Sequence, residues 1–391
     1  MKEGWEKVEL GKCIKLKSGE GLTAKKMNSE GSIPVYGGNG LAGMHDIHNV
    51  EGENIVIGRV GALCGNARFV QGKAWVTDNA FKVTEFYYSF DLKFLVYLLN
   101  HIDLRKYARQ SAQPVVSNSS LKNVELSFPK SLSEQQQIVS ILDKAFAALD
   151  AARAKVERNL ANARELFQSK LNEVFSQRGP GWEERKLGEV AKIINGYSFK
   201  SKDFAPGQST KVVKITNVGV KEFVEDEQNT LPESFRKTYK SVSVHEGDLV
   251  VALTRTIISS GLKVARVPES YDKALLNQRV AAVVPAREVM DSEYLYFYIC
   301  SSQVYDYVLD NVNTLMQPNL SIKDLKNMPV PFSNLKSQHK IKSQLLGIVN
   351  ATDELIDKYE EKIRNIEELK NALLQKAFAG ELTHTPQEVS V

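Results

Sequence analysis

Apolar residues recur at alternating steps of four and three along two long stretches of the chain. In the first they fall at Ile138, Leu142, Ala145, Leu149, Ala152, Val156, Leu160, Ala163 and Phe167. In the second they fall at Ile341, Leu345, Ile348, Thr352, Leu355, Tyr359, Ile363 and Ile366. This spacing predicts two long helices with coiled-coil seams. Each pattern slips at one equivalent place, Val156 to Leu160 and Tyr359 to Ile363, where a step of four replaces three; a shared stutter suggests seams that fit each other. Ser133 and Gln136 read as a capping box at the first start. Gly179-Pro180-Gly181 reads as its end and Gly380 as the end of the second helix. At ~1.5 Å per residue, about 43 residues give a rod of roughly 65 Å. A stripe that long cannot be buried by one helix. The two are expected to pack as an antiparallel coiled coil; the alternative is two independent coiled coils that recruit other chains.

Before each helix the pattern changes to short β-type runs broken by turns. Ile33–Tyr36, Asn54–Ile57 and Ala80–Val83 read as strands in the first module, with a turn at Gly37-Gly38-Asn39-Gly40 and a helix near Phe94–Leu99. In the second, Lys211–Ile215, Asp248–Ala252 and Arg279–Val284 read as strands and Tyr294–Ile299 as a helix. The order is the same in both, which is an α+β architecture stated twice.

The repeat is also literal. Gly4-Trp5-Glu6-Lys7-Val8-Glu9-Leu10-Gly11 returns as Gly181-Trp182-Glu183-Glu184-Arg185-Lys186-Leu187-Gly188, and Ser131–Ile138 returns as Asn334–Ile341. The chain therefore divides into a globular module at 1–130, a helix at 131–178, a second module at 179–333, a second helix at 334–382 and a flexible tail at 383–391. Duplication of module plus helix builds pseudo-twofold symmetry into one polypeptide, and duplex DNA has local twofold axes of its own.

Length changes the picture little: 391 residues suit two or three domains. The formal net charge is +4. Residues 1–130 hold 17 Lys+Arg against 13 Asp+Glu and residues 178–333 hold 20 against 19, so the modest positive excess lies in the modules. That excess favours phosphate-bearing partners only weakly. No apolar run is long enough to span a membrane. The N-terminal residues have no apolar core or cleavage signal, so a cytoplasmic location is expected. Cys13, Cys64 and Cys300 form no C-x-x-C pair, which argues against a zinc site or a disulfide framework.

Catalytic chemistry is hard to find. Gly38–Gly43 fits G-x-G-x-x-G but no βαβ unit follows, so a glycine-rich hairpin is the better reading. There is no Walker A motif and no Asn-Pro-Pro-aromatic motif. His45 and His48 lack a third metal ligand and read as exposed loop histidines; His245-Glu246-Gly247-Asp248 reads as a turn feeding a strand. No catalytic residue and no metal site is expected.

The chain resembles the specificity subunit of a type I restriction–modification system. The resemblance rests on Gly4-Trp5 with Leu10-Gly11, Ile33–Gly40, Ile57-Gly58-Arg59-Val60-Gly61, Trp75–Phe81, Phe128-Pro129 and Glu134–Ile138. In the second half it rests on Gly181-Trp182, Leu187-Gly188, Gln317-Pro318-Asn319-Leu320-Ser321, Pro329-Val330-Pro331, Gln338 and Ile341. The resemblance implies two target-recognition domains, each reading one half of a split, asymmetric double-stranded DNA site. It implies that the paired helices act as spacer and dock two methyltransferase subunits, with restriction/translocase subunits joining them. This chain would bind no cofactor; S-adenosylmethionine, ATP and Mg would serve the partners. Two alternatives stay open: a protein-binding coiled-coil adaptor and an unrecognised DNA methyltransferase.

Candidate DNA contacts follow from side-chain chemistry, since Arg suits guanine and Asn or Gln suits adenine. In the first module they are Tyr36, Asn39, Arg59, Arg68 and Lys73; in the second, Tyr197, Lys200, Lys202, Arg255 and Lys263. Each could instead be a solvated charge or a sheet-packing aromatic. Asn79 and Gln278, taken as matching positions, are expected to hold the scaffold.

Overall fold

The computed structural model describes residues 2–109, 112–177, 181–226, 228–258, 261–311 and 319–383. Both seam patterns fold as continuous helices, Leu132–Ser176 and Leu335–Ala379. The first begins two residues earlier than the sequence suggests. Ser131, not Ser133, caps it: its Oγ accepts from Glu134 N at 3.4 Å. Asn334 does the same for the second, its Oδ1 accepting from Ser337 N at 2.9 Å. The second helix ends as expected at Gly380, whose φ of +78° lets Glu381 N return to Lys376 O at 2.9 Å. Gly179 and Pro180 lie outside the described residues, as do Gln317, Pro318 and most of the 383–391 tail.

The seams need one correction. Ala152 and Leu355 face solvent, while Arg153 and Ile356 are half-buried in their place. The irregular step therefore falls one heptad earlier, at Leu149 to Arg153 and Thr352 to Ile356. It falls at equivalent places in the two helices.

The chain forms two compact units: residues 1–157 with 361–391, and residues 158–360. Each contains one globular domain and part of both long helices. In the first unit the helices run antiparallel, with Arg153 on Glu367 and Lys370 on Asp150. In the second, Arg164 Nη2 meets Glu360 Oε1 at 3.0 Å.

Each domain is built on a four-stranded antiparallel sheet of the same order. In the first domain the strands run Ile14–Ser18, Ala80–Phe86, Glu53–Gly58, Ala67–Gln71; in the second, Ala191–Asn195, Val280–Pro285, Leu249–Ala252, Val264–Arg266. A smaller three-stranded sheet sits in each domain. In the first it joins Gly40–His45, Ile33–Gly37 and Trp75–Val76; in the second, Thr230–Leu231, Thr210–Val213 and Leu275–Leu276. A separate two-stranded ribbon ties the domain's first strand to its last, Trp5–Glu9 to Glu125–Pro129 and Glu183–Lys186 to Pro329–Phe332.

Each four-stranded sheet buries one face under a short helix, Leu92–Ile102 or Ser292–Ile299, and under the long helices. In the first unit Ile55, Ile57, Phe94, Leu95, Ile138, Leu142 and Ala377 share one core; in the second Leu249, Val251, Tyr294, Leu295, Leu171, Phe175 and Leu345 do. Phe378 meets Phe94 edge-on at 5.6 Å, and Phe175 meets Tyr294 at 5.4 Å.

The repeated glutamine at the start of each long helix is a lock. Gln135 is fully buried; its Oε1 accepts from Asp91 N at 2.8 Å and its Nε2 donates to Pro129 O at 2.9 Å. Gln338 does the same with Asp291 N at 2.8 Å and Ser333 O at 2.7 Å. Asp91 and Asp291 in turn cap the short helices. One side chain thus fixes three elements, and a buried amide left unpaired is costly.

Candidate nucleic-acid interface

In the first domain three loops converge at the end of the Glu53–Gly58 strand. The Ile33–Gly37 and Gly40–His45 hairpin turns at Gly38 and Asn39. The G-x-G-x-x-G sequence is thus a β-turn, not a dinucleotide loop. Gly38 is packed so closely that a Cβ there would stand 2.0 Å from Val60 O and 3.0 Å from Asn79 O. Gly61, at φ +100°, sits against the Asn39 side chain. Arg59 lies between two neighbours: its N–H donates to Asn79 O at 2.9 Å and its carbonyl accepts from Val116 N at 2.9 Å.

Of the first-domain candidates, Asn39, Arg59 and Arg68 are brought together here. Asn39 is exposed, though its Oδ1 accepts from Leu63 N at 3.2 Å. Arg59 is folded down: its guanidinium lies 5.7 Å over Phe81 and Nη1 donates to Asp78 O at 3.2 Å. Arg68 packs against the Gly40 backbone, and its Nη1 is buried with no partner among the described residues. Tyr36 packs on Val56, Val70 and Val76. Lys73 lies at the other end of the Glu53–Gly58 and Ala67–Gln71 ladder, beside Glu51 at 4.0 Å. Six residues of strand separate the two ends, roughly 20 Å.

The second domain repeats this frame with different side chains. Leu253 N donates to Arg279 O at 2.8 Å, and Leu253 O accepts from Leu320 N at 2.9 Å. Leu253 therefore stands where Arg59 does, Arg279 where Asn79 does, and Arg255, at φ +51°, where Gly61 does. The pairing of Asn79 with Gln278 is off by one residue. Gln278 N and Leu276 O both bond Tyr197, at 2.9 Å each, so Tyr197 adjoins the same turn.

Arg255 and Tyr197 are exposed, and Tyr197 stacks with Tyr239 at 4.5 Å and Phe199 at 5.2 Å. Lys200 and Lys202 are exposed on the Ser201–Asp203 turn that follows. Lys263 is half-buried with Nζ 3.0 Å from Ile215 O; burial, and then the charge of Arg255, hold its ammonium below the usual lysine range. Elsewhere, His45 is half-buried with its ring edge-on to Trp75 at 5.5 Å, so only His48 is exposed as expected.

Two exposed arginines escaped the sequence reading. One is Arg279. The other is Arg109, whose N–H donates to Val115 O at 3.0 Å beside Val60. A signal for both was present: Gln113-Pro114-Val115-Val116-Ser117 echoes Gln317-Pro318-Asn319-Leu320-Ser321 and places each loop against the Arg59 or Leu253 position.

One backbone frame that carries exposed Arg or Asn, present in both halves of the chain on the same α+β scaffold and locked each time to a long helix, defines a tandem recognition protein. The chain belongs to the family of the type I restriction modification DNA specificity domain, whose model matches residues 2–158 and again 180–365. It is 24% identical over 347 residues to the type I restriction enzyme MjaVIII specificity subunit of Methanocaldococcus jannaschii, covering 84% of this chain and 76% of that one. It is 26% identical over 403 residues to a putative type I specificity subunit, S.MgeORF438P, of Mycoplasma genitalium, covering 96% and 94%.

Among solved structures, the HsdS subunit of Thermoanaerobacter tengcongensis shares its fold, with a TM-score of 0.60 and 18% identity over 97% of this chain and 98% of that one. A chain from a study of complex assembly and conformational transition of the type I R-M system gives a TM-score of 0.76 at 17% identity, covering 97% and 99%. No helix among the described residues is long and apolar enough to cross a membrane.

Proposed function

We infer that this chain is the sequence-specific DNA-recognition subunit of a type I restriction–modification complex, each domain reading one half of a bipartite, asymmetric site. The observation that carries this is the duplicated DNA specificity domain, each copy presenting Arg or Asn from the same backbone frame. Arg, Asn and Gln are the side chains whose geometry discriminates base pairs in the major groove. We propose further that the continuous helices set the spacing of the half-sites and dock two methyltransferase subunits, with restriction/translocase subunits added. Adenine methylation with S-adenosylmethionine, and ATP- and Mg-dependent translocation and cleavage, are assigned to those partners. The chain is proposed to act in the cytoplasm, where its DNA is.

Mapping methylated adenines in the host genome before and after deleting this chain tests the reading. The expected result is loss of one split motif, two specific segments separated by a fixed number of unspecified base pairs. Retention of every methylated motif would overturn it. Salt-insensitive, negligible binding to a duplex pool would favour the adaptor instead.

A further inference from the structure

We propose that Arg279, with Arg255 beside it, is the guanine-selecting element of the second domain, and that Asn79 holds the equivalent place in the first domain and selects adenine. The proposal rests on the DNA-recognition reading above and names its specificity-determining residues.

The first support is conformation. Arg279 has φ +72° and Arg255 φ +51°. An L-residue with a long side chain in the left-handed region is strained, and such outliers gather where function requires a particular direction. Strain alone does not mark a site. Lys221 and Lys273 have φ values of +61° and +62°, but their ammoniums are held by Gln168 Oε1 at 2.8 Å and by Asp272 at 3.3 Å. Arg279 and Arg255 are exposed, and neither guanidinium makes a hydrogen bond or ion pair with any described residue.

The second support is backbone fixation. Arg279 O is bound by Leu253 N, Gln278 N is bound by Tyr197 O, and Val280 opens a strand that pairs on both edges. Thr254, next to Arg255, bridges Asn319. Both side chains therefore leave from fixed points. Positive charge collects there: Lys263, held below the usual lysine range first by burial and then by the charge of Arg255, lies close to it, and neither guanidinium has an acidic partner among the described residues.

The third support separates base from phosphate. Both domains would meet the same phosphate backbone, so phosphate contacts can be shared by the repeats, whereas base contacts must differ if the half-sites differ. Within the shared frame, the positions where an arginine or asparagine replaces a different residue include Arg279 against Asn79, Arg255 against Gly61 and Leu253 against Arg59. Arg is matched to guanine O6 and N7, and Asn to adenine N6 and N7.

The experiment is selection from a randomised duplex by the full-length chain with its methyltransferase partner, comparing wild type with Arg279→Gly, Arg279→Lys and Asn79→Ala. Glycine accepts the backbone of residue 279, so Arg279→Gly is expected to keep or raise the Tm while one guanine in one half-site loses about 10- to 100-fold of its preference. The salt slope is expected to stay unchanged. Arg279→Lys is expected to restore only part of the preference, because a compact ammonium lacks the planar fork matched to guanine O6 and N7. Asn79→Ala is expected to relax an adenine in the other half-site. A uniform loss on all sequences with the salt slope lower by about one, fully restored by lysine, would make Arg279 a phosphate contact and overturn the proposal. An unchanged preference in Arg279→Gly would overturn it too. A wild-type chain with no sequence preference at all would remove the recognition reading, and this assignment with it.

Discussion

Arg59 of the first domain lies down over Phe81 and donates to a backbone carbonyl, whereas the second domain puts Leu253 in that place and sends Arg255 and Arg279 outward from either side of it. The strand order beneath these loops is identical, and so are the Gln135 and Gln338 locks. At this face the two domains differ in the side chains carried on a shared set of backbone hydrogen bonds. The difference teaches that the repeat preserves the glutamine locks and the backbone hydrogen bonds of the frame, and varies the side chains mounted on it.

The largest effect should come from the locks. Gln135→Ala leaves Asp91 N–H and Pro129 O without their partner in a buried place, and roughly 2–4 kcal/mol of stability should be lost. Gln338→Ala should cost a similar amount, read by chemical denaturation with hydrogen exchange to locate the weakened unit. If one variant were nearly neutral, the two units would not share this device. A smaller effect is expected at Gly38. Its missing Cβ lets Val60 O approach, so Gly38→Ala should displace the 58–61 segment. Affinity for a full site should fall by about tenfold, ~1.4 kcal/mol. The loss should fall on the half-site read by the first domain, with the other half-site's preferences intact.

The long helices and the main strands were legible because burial imposes a period: steps of four and three on a helix, short apolar runs in a sheet. One seam position in each helix lies a residue beyond the expected one, because Ala152 and Leu355 are apolar yet face solvent, while half-buried Arg153 can lay its aliphatic stem on the seam. The interface was less legible. Residues 58–61, 79 and 114–116 are joined by backbone hydrogen bonds, and Gly38 packs against Val60 O; such backbone contacts leave no trace in side-chain pattern. Arg279 was hidden by an alignment one residue out, although the strand it precedes was found. Glu134 was read as part of a repeated motif, but its use is not repeated. Its Oε1 accepts from Lys2 Nζ at 2.9 Å, Trp5 Nε1 at 3.2 Å and Thr383 Oγ1 at 2.7 Å, whereas Ser337 stands at the matching place.

That asymmetry gives a pH test. Burial alone would raise the Glu134 carboxyl, but the bonds from Thr383, Lys2 and Trp5 outweigh it and hold it below the usual glutamate range. A depressed folded-state value contributes stability above the unfolded value, and that contribution is lost as pH falls through the folded one. Glu134→Gln should therefore cost about 1 kcal/mol near neutral pH. The gap from wild type should close progressively below the ordinary glutamate range. Ser337→Ala in the second unit should show no such pH dependence. A gap that widened in acid would reverse the sign of the argument.

The smallest effect is one of rate, and it reports on both units at once. Cys13 belongs to the first core and Cys300 to the second; both are buried, and burial pushes each thiol up to about 11. A thiol that is neither ionised nor accessible reacts only when its surroundings open. With Cys64 replaced by Ala, labelling of the folded chain near pH 8 should be slow at both remaining sites. Gln135→Ala should then speed labelling at Cys13 and leave Cys300 slow, and Gln338→Ala should do the reverse. Equal acceleration at both sites in either variant would mean that the two units open together, and that the locks, though placed separately, stabilise one cooperative structure.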